Sequence, residues 1–395
     1  MTEMAKDEPG KVLLYLPWEF DMLGGVDVVV ERLWRGIENR FPGMASIGIQ
    51  DWIHRGERTD EQGRRFLHLN LPAPPSAHGR LPFRYIVTLV RRLISAQHDL
   101  RIHNITTVNV HFPTLNAYPL ALLKLFGLWR GKLVLSFHGS DVSAIATDSP
   151  RWKIIAKQTN AITACSAALA NRIEELKFFN QSVHVIHNGI DSENFTRNAP
   201  PAQSHIDAPY LLNVGNYVPI KAQDIFLTAF SRIASKYPTL NIVCVGGTDN
   251  GSWLKHLKEL VNKLNIENRV TFLENKPQNQ IASLMSHTSC LVHTAKYESF
   301  GLVLIEAGAC KTPVIATRVG GIPEIIPSSD FGLLFSNGDV DELTAAISDT
   351  LNSPDHAKTR GINLQQRVSN QFSAKSMLEG YLKIFRKVTK NPTLA

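Results

Sequence analysis

Two glutamates, Glu298 and Glu306, are separated by seven residues and follow an apolar stretch at 290–294. Glu298 is expected in the loop at the carboxyl end of a strand, where open α/β sheets bind their ligands. Glu306 falls two turns further on, in a predicted helix whose first backbone N–H groups can hold phosphate oxygens. Carboxylates accept hydrogen bonds from hydroxyls, as on a sugar or a ribose. By spacing alone, two solvated glutamates beside a helix explain the pattern more simply.

A lysine and a histidine also follow predicted strands. Lys221 comes after the first strand of the second half of the chain, where its ammonium could neutralise a phosphate. His138 follows the strand predicted at 133–137 and is placed to exchange protons or to bind an oxygen. A loop lysine is usually only solvated, and a single histidine is more often structural. Each residue therefore indicates a functional site only in combination with other motifs.

Turns rich in glycine or asparagine join several predicted strands to the next element. Gly24 and Gly25 stand between the first strand and the first helix, where glycine lets the backbone approach a ligand closely. Gly320 and Gly321 open a further helix, and Asn188 ends another strand. Each motif by itself also fits a tight turn, and the first pair is not the G-x-G-x-x-G of a dinucleotide site.

Strands and helices alternate along the chain. The apolar run at 11–18 has the length of a strand and is followed by residues with helical spacing of their apolar side chains. The polar segment at 196–209 contains consecutive prolines and is the predicted linker, because the alternation restarts after it. This pattern predicts an α/β protein with parallel sheets and with domains at 1–195 and 210–372.

The composition is that of a globular protein whose charge is unevenly placed. Of 395 residues, 44% are hydrophobic and 19% are charged, and the net charge is +7. Eleven Lys or Arg residues and three Asp or Glu residues lie between Arg80 and Lys157, so this segment carries the positive charge of the chain. Such a segment implies an anionic partner, a phosphorylated ligand or an anionic lipid surface. We expect no nucleic acid partner, because no aromatic-basic motif of a known reader module occurs.

The N-terminal segment and the cysteines indicate the compartment. Acidic Glu3, Asp7 and Glu8 oppose an export signal, and the longest apolar stretch, at 118–129, is too short to span a bilayer and contains Lys124. Four widely spaced cysteines without a C-x-x-C pair indicate reduced thiols. We therefore expect a cytoplasmic protein whose membrane contact, if any, is peripheral on the inner face.

In combination and in this order, the motifs resemble those of the retaining glycosyltransferases of family 4, which have the GT-B fold. The most specific part is E-x7-E at Glu298–Glu306, followed 14 residues later by GGIPE at Gly320–Glu324. The other matches are Gly24-Gly25, HGSD at His138–Asp141, NGID at Asn188–Asp191, and Lys221. The resemblance runs from about Lys11 to about Phe372. It implies two Rossmann-like domains facing across a cleft, with a C-terminal helix at 373–395 packing back on the first domain.

The resemblance implies a role for each candidate residue. Glu306 would bind the ribose, Glu298 would contact hydroxyls of the donor sugar, and His138 would lie beside the transferred sugar. Lys221 would hold the diphosphate. The remaining donor-binding residues are Gly24, Gly25, Asn216, Phe300, Gly301, Leu302 and Val303. Asp141 and Asn188 complete the candidate set on the acceptor side.

These roles describe a metal-independent, retaining hexosyltransferase that needs no cofactor beyond its sugar nucleotide, UDP- or GDP-linked. Lys221 and fixed N–H groups would stabilise the charge of the departing diphosphate, so no Mg²⁺ is required. The sequence departs from the family at Asn216, where an arginine usually follows the glycine at 215. Lys221 is then the only cation expected from that loop.

The acceptor is expected to be a glycan or a lipid-linked molecule of polysaccharide or glycoconjugate synthesis. A helix predicted at 84–96 places Ile86, Val87, Val90 and Leu93 on one side and Arg84, Arg91 and Arg92 roughly opposite. This helix either lies on an anionic membrane or turns its apolar side into the core.

Two other functions stay open at this point. One is a sugar-nucleotide epimerase or hydrolase on the same fold, which would release nucleotide without an acceptor product. The other is a non-catalytic partner subunit that binds a sugar nucleotide, for which the missing arginine is the sequence hint.

Overall fold

The chain divides into two compact units. The computed structural model describes residues 10–20, 24–50, 52, 54, 56–191, 195, 209–247 and 251–390. The first unit comprises Met1–Gly189 together with Ala374–Ala395, and the second comprises Ile190–Ser373. The linker predicted at 196–209 lies, except for its last residue, outside the described residues.

The first unit is built on an eight-stranded sheet. Its strands are β1 Lys11–Tyr15, β2 Ala45–Ile49, β3 Gly56–Thr59, β4 Arg65–His68, β5 Ile105–His111, β6 Lys132–Phe137, β7 Ala161–Ala164 and β8 Val183–Val185. They are ordered β3-β4-β2-β1-β5-β6-β7-β8, and all neighbours are parallel except β3 and β4. The order reverses between β1 and β5, which is the kind of position where an open α/β sheet forms a ligand-binding crevice at its carboxyl edge.

The second unit is built on a six-stranded parallel sheet. Its strands are β9 Tyr210–Val214, β10 Asn241–Gly246, β11 Val270–Glu274, β12 Cys290–His293, β13 Val314–Thr317 and β14 Leu333–Phe335. The order β11-β10-β9-β12-β13-β14 is the 3-2-1-4-5-6 order of a doubly wound sheet. Its switch point falls between β9 and β12. The predicted fold class, two α/β units with parallel sheets, is confirmed.

Helices cover both sheets, as parallel strands require. In chain order they are α1 Gly25–Arg40, α2 Phe83–Ile102, α3 Tyr118–Leu125, α4 Pro150–Gln158, α5 Ala167–Glu175, α6 Gln223–Ile233, α7 Ser252–Lys263, α8 Gln278–His287, α9 Leu302–Ala309, α10 Ile322–Ile325, α11 Val340–Asn352, α12 Pro354–Gln371 and α13 Ala374–Lys390. Phe226 and Phe230 of α6 and Leu257 of α7 are fully buried in the core of the second unit.

The last helix, α13, belongs to the first unit although it follows the second unit in the sequence. It packs against α1, where a Cβ on Gly36 would lie 3.1 Å from the Leu378 side chain. Arg40 and Glu379 form an ion pair between the same two helices. The Gly36 position therefore allows the two helices to approach closely.

The apolar face predicted for α2 is wrong in part. The buried side chains are Leu89, Leu93, Ala96 and Leu100, which recur every three or four residues in the later part of the helix. Ile86 and Val90, predicted on the same side as Leu93, are exposed instead. The helix is longer than predicted, and the set that continues to Leu100, beyond the predicted end, packs on the core.

Candidate active site

An ionic cluster lies at the switch point of the second sheet. Glu298, in the loop after β12, accepts a hydrogen bond from the Lys221 ammonium, with Nζ 2.8 Å from Oε2. The same carboxylate oxygen lies 3.3 Å from Nε2 of His293, the last residue of β12. Lys221 ends a short 3-10 helix that follows β9. Two neighbouring strands therefore bring a cation, a carboxylate and an imidazole together at one point.

Burial and charge fix the protonation of this cluster. Burial alone would raise the pKa of Glu298, but the charge of Lys221 and the nearness of His293 outweigh it and hold that pKa well below its usual range. Burial lowers the pKa of His293, against the opposing effect of Glu298. At neutral pH the three groups are an ammonium, a carboxylate and a neutral imidazole, and their net charge is zero.

Backbone and hydroxyl contacts hold the two loops of the cluster together. Thr294 Oγ1 donates to the Lys221 carbonyl at 2.9 Å, and the Lys296 N–H donates to the Ile220 carbonyl at 2.8 Å. These contacts join the loop after β9 to the loop after β12. The position of Lys221 relative to Glu298 is therefore set by the backbone as well as by the ion pair.

The double glycine after β13 supports the Glu298 backbone. The Gly321 N–H donates to the Glu298 carbonyl at 3.2 Å. Gly320 has a φ of +50°, and a Cβ there would overlap the same carbonyl oxygen. Only glycine fits both the conformation and the space, so the GGIPE motif has a structural role in the candidate site.

The start of α9 presents the other candidate residues of this unit. Gly301 precedes the helix with a φ of +107°, and Leu302 and Val303 form its first turn. The first N–H groups of an α-helix have no partner within the helix and attract anions. Phe300 is buried, with its ring 5.6 Å from that of Phe372. Glu306 lies one turn further along α9 and is half-buried.

Asn216, in place of the expected arginine, ties together the loops after β9 and β10. Its Oδ1 accepts a hydrogen bond from the Gly247 N–H at 3.2 Å. The next residue, Tyr217, is buried, and its hydroxyl lies 2.7 Å from the Cys244 carbonyl and 2.9 Å from the Leu273 carbonyl. This loop thus holds its shape through neutral hydrogen bonds.

In the first unit, His138 follows β6 and contacts a second histidine. Its Nε2 lies 3.0 Å from Nδ1 of His111, the last residue of β5, and the two rings are stacked. Burial lowers the pKa of His138 to about 4. Burial, together with the nearness of His138, also lowers the pKa of His111. Both imidazoles are therefore neutral at neutral pH.

Asp141 shapes the turn that carries His138. Its carboxylate accepts from the backbone N–H groups of His138 at 2.9 Å, Gly139 at 2.6 Å and Val142 at 3.1 Å. Burial raises the pKa of Asp141 to about 6, against the effect of these donors. Asp141 thus acts on the backbone of the turn rather than facing solvent, since its side chain is fully buried.

The remaining candidates of the first unit occupy other loops. Gly24 and Gly25 begin α1 after β1, and the space around a Cβ on Gly24 is open. Asn188 is buried, and the carbonyl of the following Gly189 accepts from Arg32 at 3.0 Å. The structure therefore brings together His138 and Asp141 in the first unit, and Lys221 and Glu298 in the second.

Sequence reasoning missed His293 and His111. Each is the last residue of a central strand in its unit, where a side chain reaches the carboxyl edge of the sheet. The signal was present, since both follow apolar runs as His138 does.

Across the described ranges, no group of three His, Cys, Asp or Glu residues is placed to hold a metal ion. None of the described helices is long and apolar enough to cross a membrane.

Two family models match consecutive parts of the chain. The model described as Glycosyltransferase Family 4 matches residues 23–194. The model described as Glycosyl transferases group 1 matches residues 196–367. The first match falls almost wholly in the first unit and the second in the second unit.

Curated relatives match at moderate identity. The N-acetyl-alpha-D-glucosaminyl L-malate synthase of Bacillus anthracis is 28% identical over 296 residues, which cover 73% of this chain and 76% of the relative. A D-inositol 3-phosphate glycosyltransferase of Mycolicibacterium smegmatis is 33% identical over 186 residues, covering 45% and 42%. The GDP-mannose-dependent alpha-(1-6)-phosphatidylinositol monomannoside mannosyltransferase of the same organism is 25% identical over 300 residues, covering 71% and 75%.

Solved structures match over nearly the whole chain. Sucrose-phosphate synthase from Thermosynechococcus elongatus has a TM-score of 0.76 at 20% identity and covers 96% of this chain and 99% of its own. The Anabaena protein HepE in complex with UDP and glucose has a TM-score of 0.75 at 18% identity and covers 95% and 99%. At these identities the likeness concerns the fold.

Proposed function

Because the chain belongs to family 4 of the glycosyltransferases and has the GT-B fold, we propose that it transfers a sugar from a nucleoside-diphosphate sugar to an acceptor hydroxyl. The observation that supports this most is the cluster of Lys221, Glu298 and His293 at the switch point of the second sheet. Doubly wound sheets bind nucleotides at that point. The first N–H groups of α9 lie in the same loop and suit phosphate oxygens.

Each group of the second unit has a task in this proposal. The diphosphate binds between Lys221 and the start of α9, and Glu306 accepts hydrogen bonds from the ribose hydroxyls. Glu298 keeps one oxygen on Lys221 and uses its carboxylate to orient hydroxyls of the donor sugar. The ion pair with Glu298 fixes the Lys221 ammonium before the donor arrives, so little ordering is needed on binding.

The proposed reaction retains configuration at the donor carbon. The bond from that carbon to the leaving phosphate oxygen breaks, and its electron pair goes to the diphosphate. The acceptor oxygen then bonds to the same face of the carbon, and the acceptor proton passes to the departing phosphate oxygen. Lys221 and the N–H groups of α9 stabilise the charge that develops on the diphosphate most strongly in the transition state. In this scheme, these protein groups carry out the stabilisation without a metal ion.

His138 is proposed to contact the transferred sugar. A neutral imidazole can hydrogen-bond to a sugar hydroxyl, and it does not repel the positive charge that develops on the donor carbon. A protonated imidazole would repel that charge. The pKa of about 4 keeps His138 neutral over the physiological range.

The relatives suggest the classes of donor and acceptor. One solved structure contains UDP and glucose, and one relative is named as GDP-mannose-dependent. The relatives are named for malate, inositol 3-phosphate and a phosphatidylinositol mannoside, each of which is an anion. The basic segment from Arg80 to Lys157 would attract such a molecule to the first unit. We therefore propose a UDP- or GDP-sugar as donor and an anionic, glycan or lipid-linked acceptor.

The exposed side of α2 is the proposed contact with an anionic membrane. Phe83, Ile86, Val90 and Ile94 recur at helical spacing, and Phe83 and Ile94 are 79% and 61% exposed. A second exposed apolar group, Leu125, Phe126 and Leu128, ends α3, which packs beside α2. We call the first group the α2 stripe.

Arginines border the α2 stripe. Arg84 and Arg91 lie along one side of it, and no Asp or Glu occurs between Arg80 and His98. Apolar side chains flanked by arginine suit the boundary between lipid headgroups and acyl chains. The protein is thus proposed to act as a peripheral enzyme on a negatively charged lipid surface.

Vesicle sedimentation tests the membrane proposal. Wild-type protein should pellet with vesicles that contain anionic phospholipid, less with purely zwitterionic vesicles, and less at high salt. The variant Phe83→Ser/Ile94→Ser should partition about tenfold less, because two apolar side chains are lost. Lys255→Gln/Lys258→Gln on α7 is a matched surface control. Absence of pelleting at low salt would rule out this surface.

Nucleotide binding and product analysis test the enzymatic proposal. UDP or GDP at saturating concentration should raise the melting temperature by about 5 °C, while ADP serves as the comparison. With the matching donor, transfer to an anionic acceptor should give a product with the same anomeric configuration as the donor, as read by NMR. Release of free sugar alone would favour a hydrolase, and a lack of any nucleotide shift would exclude the donor site.

A further inference from the structure

A chain of buried polar side chains runs through the first unit behind His138. The Asn109 amide Nδ2 lies 2.9 Å from His111 Nε2, and its Oδ1 accepts from the Ser136 hydroxyl at 2.8 Å. The Thr163 hydroxyl donates to Ser136 Oγ at 2.7 Å. All four partners behind His138 are fully buried. Three adjacent strands, β5, β6 and β7, thus contribute to one connected set of hydrogen bonds.

The last member of this set of hydrogen-bonded side chains comes from α13. The Tyr381 hydroxyl hydrogen-bonds to the side chains of Ser136 and Thr163. Its ring also lies 5.9 Å from the His111 ring. Burial raises the pKa of Tyr381 to about 12, so the hydroxyl keeps its proton. A residue near the end of the described chain therefore reaches the polar groups beneath the candidate active site.

We propose that His111 is a positioning residue that holds His138 in a single tautomer, with its proton on Nδ1. The amide orientation of Asn109 determines which group donates and which accepts in each of these hydrogen bonds. Because Oδ1 accepts from Ser136, the amide NH₂ faces His111 and donates to its Nε2. His111 then carries its own proton on Nδ1 and donates it to His138 Nε2.

The proposed direction has a consequence for catalysis. Once Nε2 of His138 accepts from His111, the remaining N–H of the His138 ring is at Nδ1. That N–H is the group which His138 can offer as a hydrogen-bond donor to a sugar oxygen. The catalytic part of this inference rests on the proposed function, whereas the tautomer does not depend on any substrate.

Nitrogen-15 NMR of histidine-labelled full-length protein tests the tautomer without donor or acceptor. Long-range correlation spectra distinguish a protonated ring nitrogen from an unprotonated one, and the signal lost in His138→Asn identifies His138. We expect a protonated Nδ1 in the wild type and a mixture of tautomers in His111→Phe. A protonated Nε2 in the wild type, or an unchanged tautomer in His111→Phe, overturns the proposal.

Kinetics then separate positioning from a purely structural role. His111→Phe should lower kcat about tenfold with little change in the donor KM, as expected for a residue that orients a catalytic group. His111→Gln keeps an N–H donor and should recover most of the rate. Tyr381→Phe removes the neutral hydroxyl that hydrogen-bonds to Ser136 and Thr163 and should lower kcat about threefold.

Phe385→Leu, on the next turn of α13, is the matched control. It removes packing beside Tyr381 without touching the polar chain, so its kcat should equal that of the wild type. Equal losses of kcat in Phe385→Leu and Tyr381→Phe would mean that α13 acts only by packing, and would refute the role of the chain. If no variant or wild type shows transfer while the tautomer is as expected, the proposed function fails and the positioning role stands.

Discussion

The two units differ in the charge of the side chains at the carboxyl edges of their sheets. Each places polar side chains at the carboxyl edge of a parallel sheet beside a change in strand order. The second unit uses a fully charged pair, Lys221 and Glu298, supported by His293. The first unit uses neutral groups, with His138 and His111 joined by a hydrogen bond. Burial keeps the imidazoles neutral, whereas the ion pair keeps its carboxylate ionised.

This difference matches the charges that each unit would face. A diphosphate carries negative charge throughout the reaction, so a fixed ammonium is useful to it at every stage. The donor carbon becomes positive only in the transition state, and a neutral donor or acceptor of hydrogen bonds tolerates that change. The comparison shows that the residues at the strand ends decide whether the carboxyl edge of a parallel sheet carries charged or neutral side chains.

The largest effect is expected from breaking the ionic side. Lys221→Ala should lower kcat/KM about 10²- to 10³-fold, because a fixed cation is lost and a buried carboxylate is left facing the diphosphate. Steady-state kinetics with the matched donor measure it, and Lys255→Ala on the exposed face of α7 is the control. Activity within tenfold of the wild type would show that Lys221 does not act on the diphosphate.

A smaller effect, and one of a different kind, is expected on the neutral side. His138→Ala should lower kcat about thirtyfold while nucleotide affinity changes less than about threefold, since a hydrogen bond important to the transition state is lost. Calorimetric titration with the nucleotide and initial rates separate the two quantities. Weakened nucleotide binding in His138→Ala would contradict the division of roles between the units.

Glu306→Ala should show the complementary pattern. We expect nucleotide affinity to fall about tenfold, since a carboxylate that accepts from ribose hydroxyls is removed. The rate at saturating donor should change little. Calorimetric titration with the nucleotide and with its 2′-deoxy form measures it. The variant should no longer distinguish the two ligands, and a preserved preference would place the ribose elsewhere.

The smallest effect is a difference in acid stability. The folded pKa of His293 lies below its unfolded value, so the unfolded chain binds more protons and stability falls as the pH drops below about 6.5. His138 acts in the same direction, whereas Asp141, with its raised pKa, loses stability as the pH rises between about 4 and 6. Urea unfolding at pH 7 and pH 5 should show a smaller loss of stability at the lower pH in His293→Gln than in the wild type. An unchanged pH dependence would mean that His293 is not held neutral.

The sequence predicted the architecture well, for physical reasons. Alternating apolar runs and helical spacings report local structure directly, and the family motifs lie at the strand ends that they were assigned to. The contact between Lys221 and Glu298 was not predicted, because it joins loops 77 residues apart and depends on strand order. Tyr381 was missed for the same reason, whereas His111 and His293 could have been found in the sequence, because each follows an apolar run. The roles of the candidate residues themselves remain predictions.

The place of α13 in the chain has a consequence for synthesis. The first unit needs this 17-residue helix against α1 and the polar groups of β6 and β7, yet the ribosome makes it after the whole second unit. During synthesis, the first unit therefore lacks α13 along one face until the second unit has been translated. Chaperones should bind the nascent chain most strongly during this interval. Ribosome profiling of chaperone-bound nascent chains should place the binding between the completion of β8 and the emergence of α13.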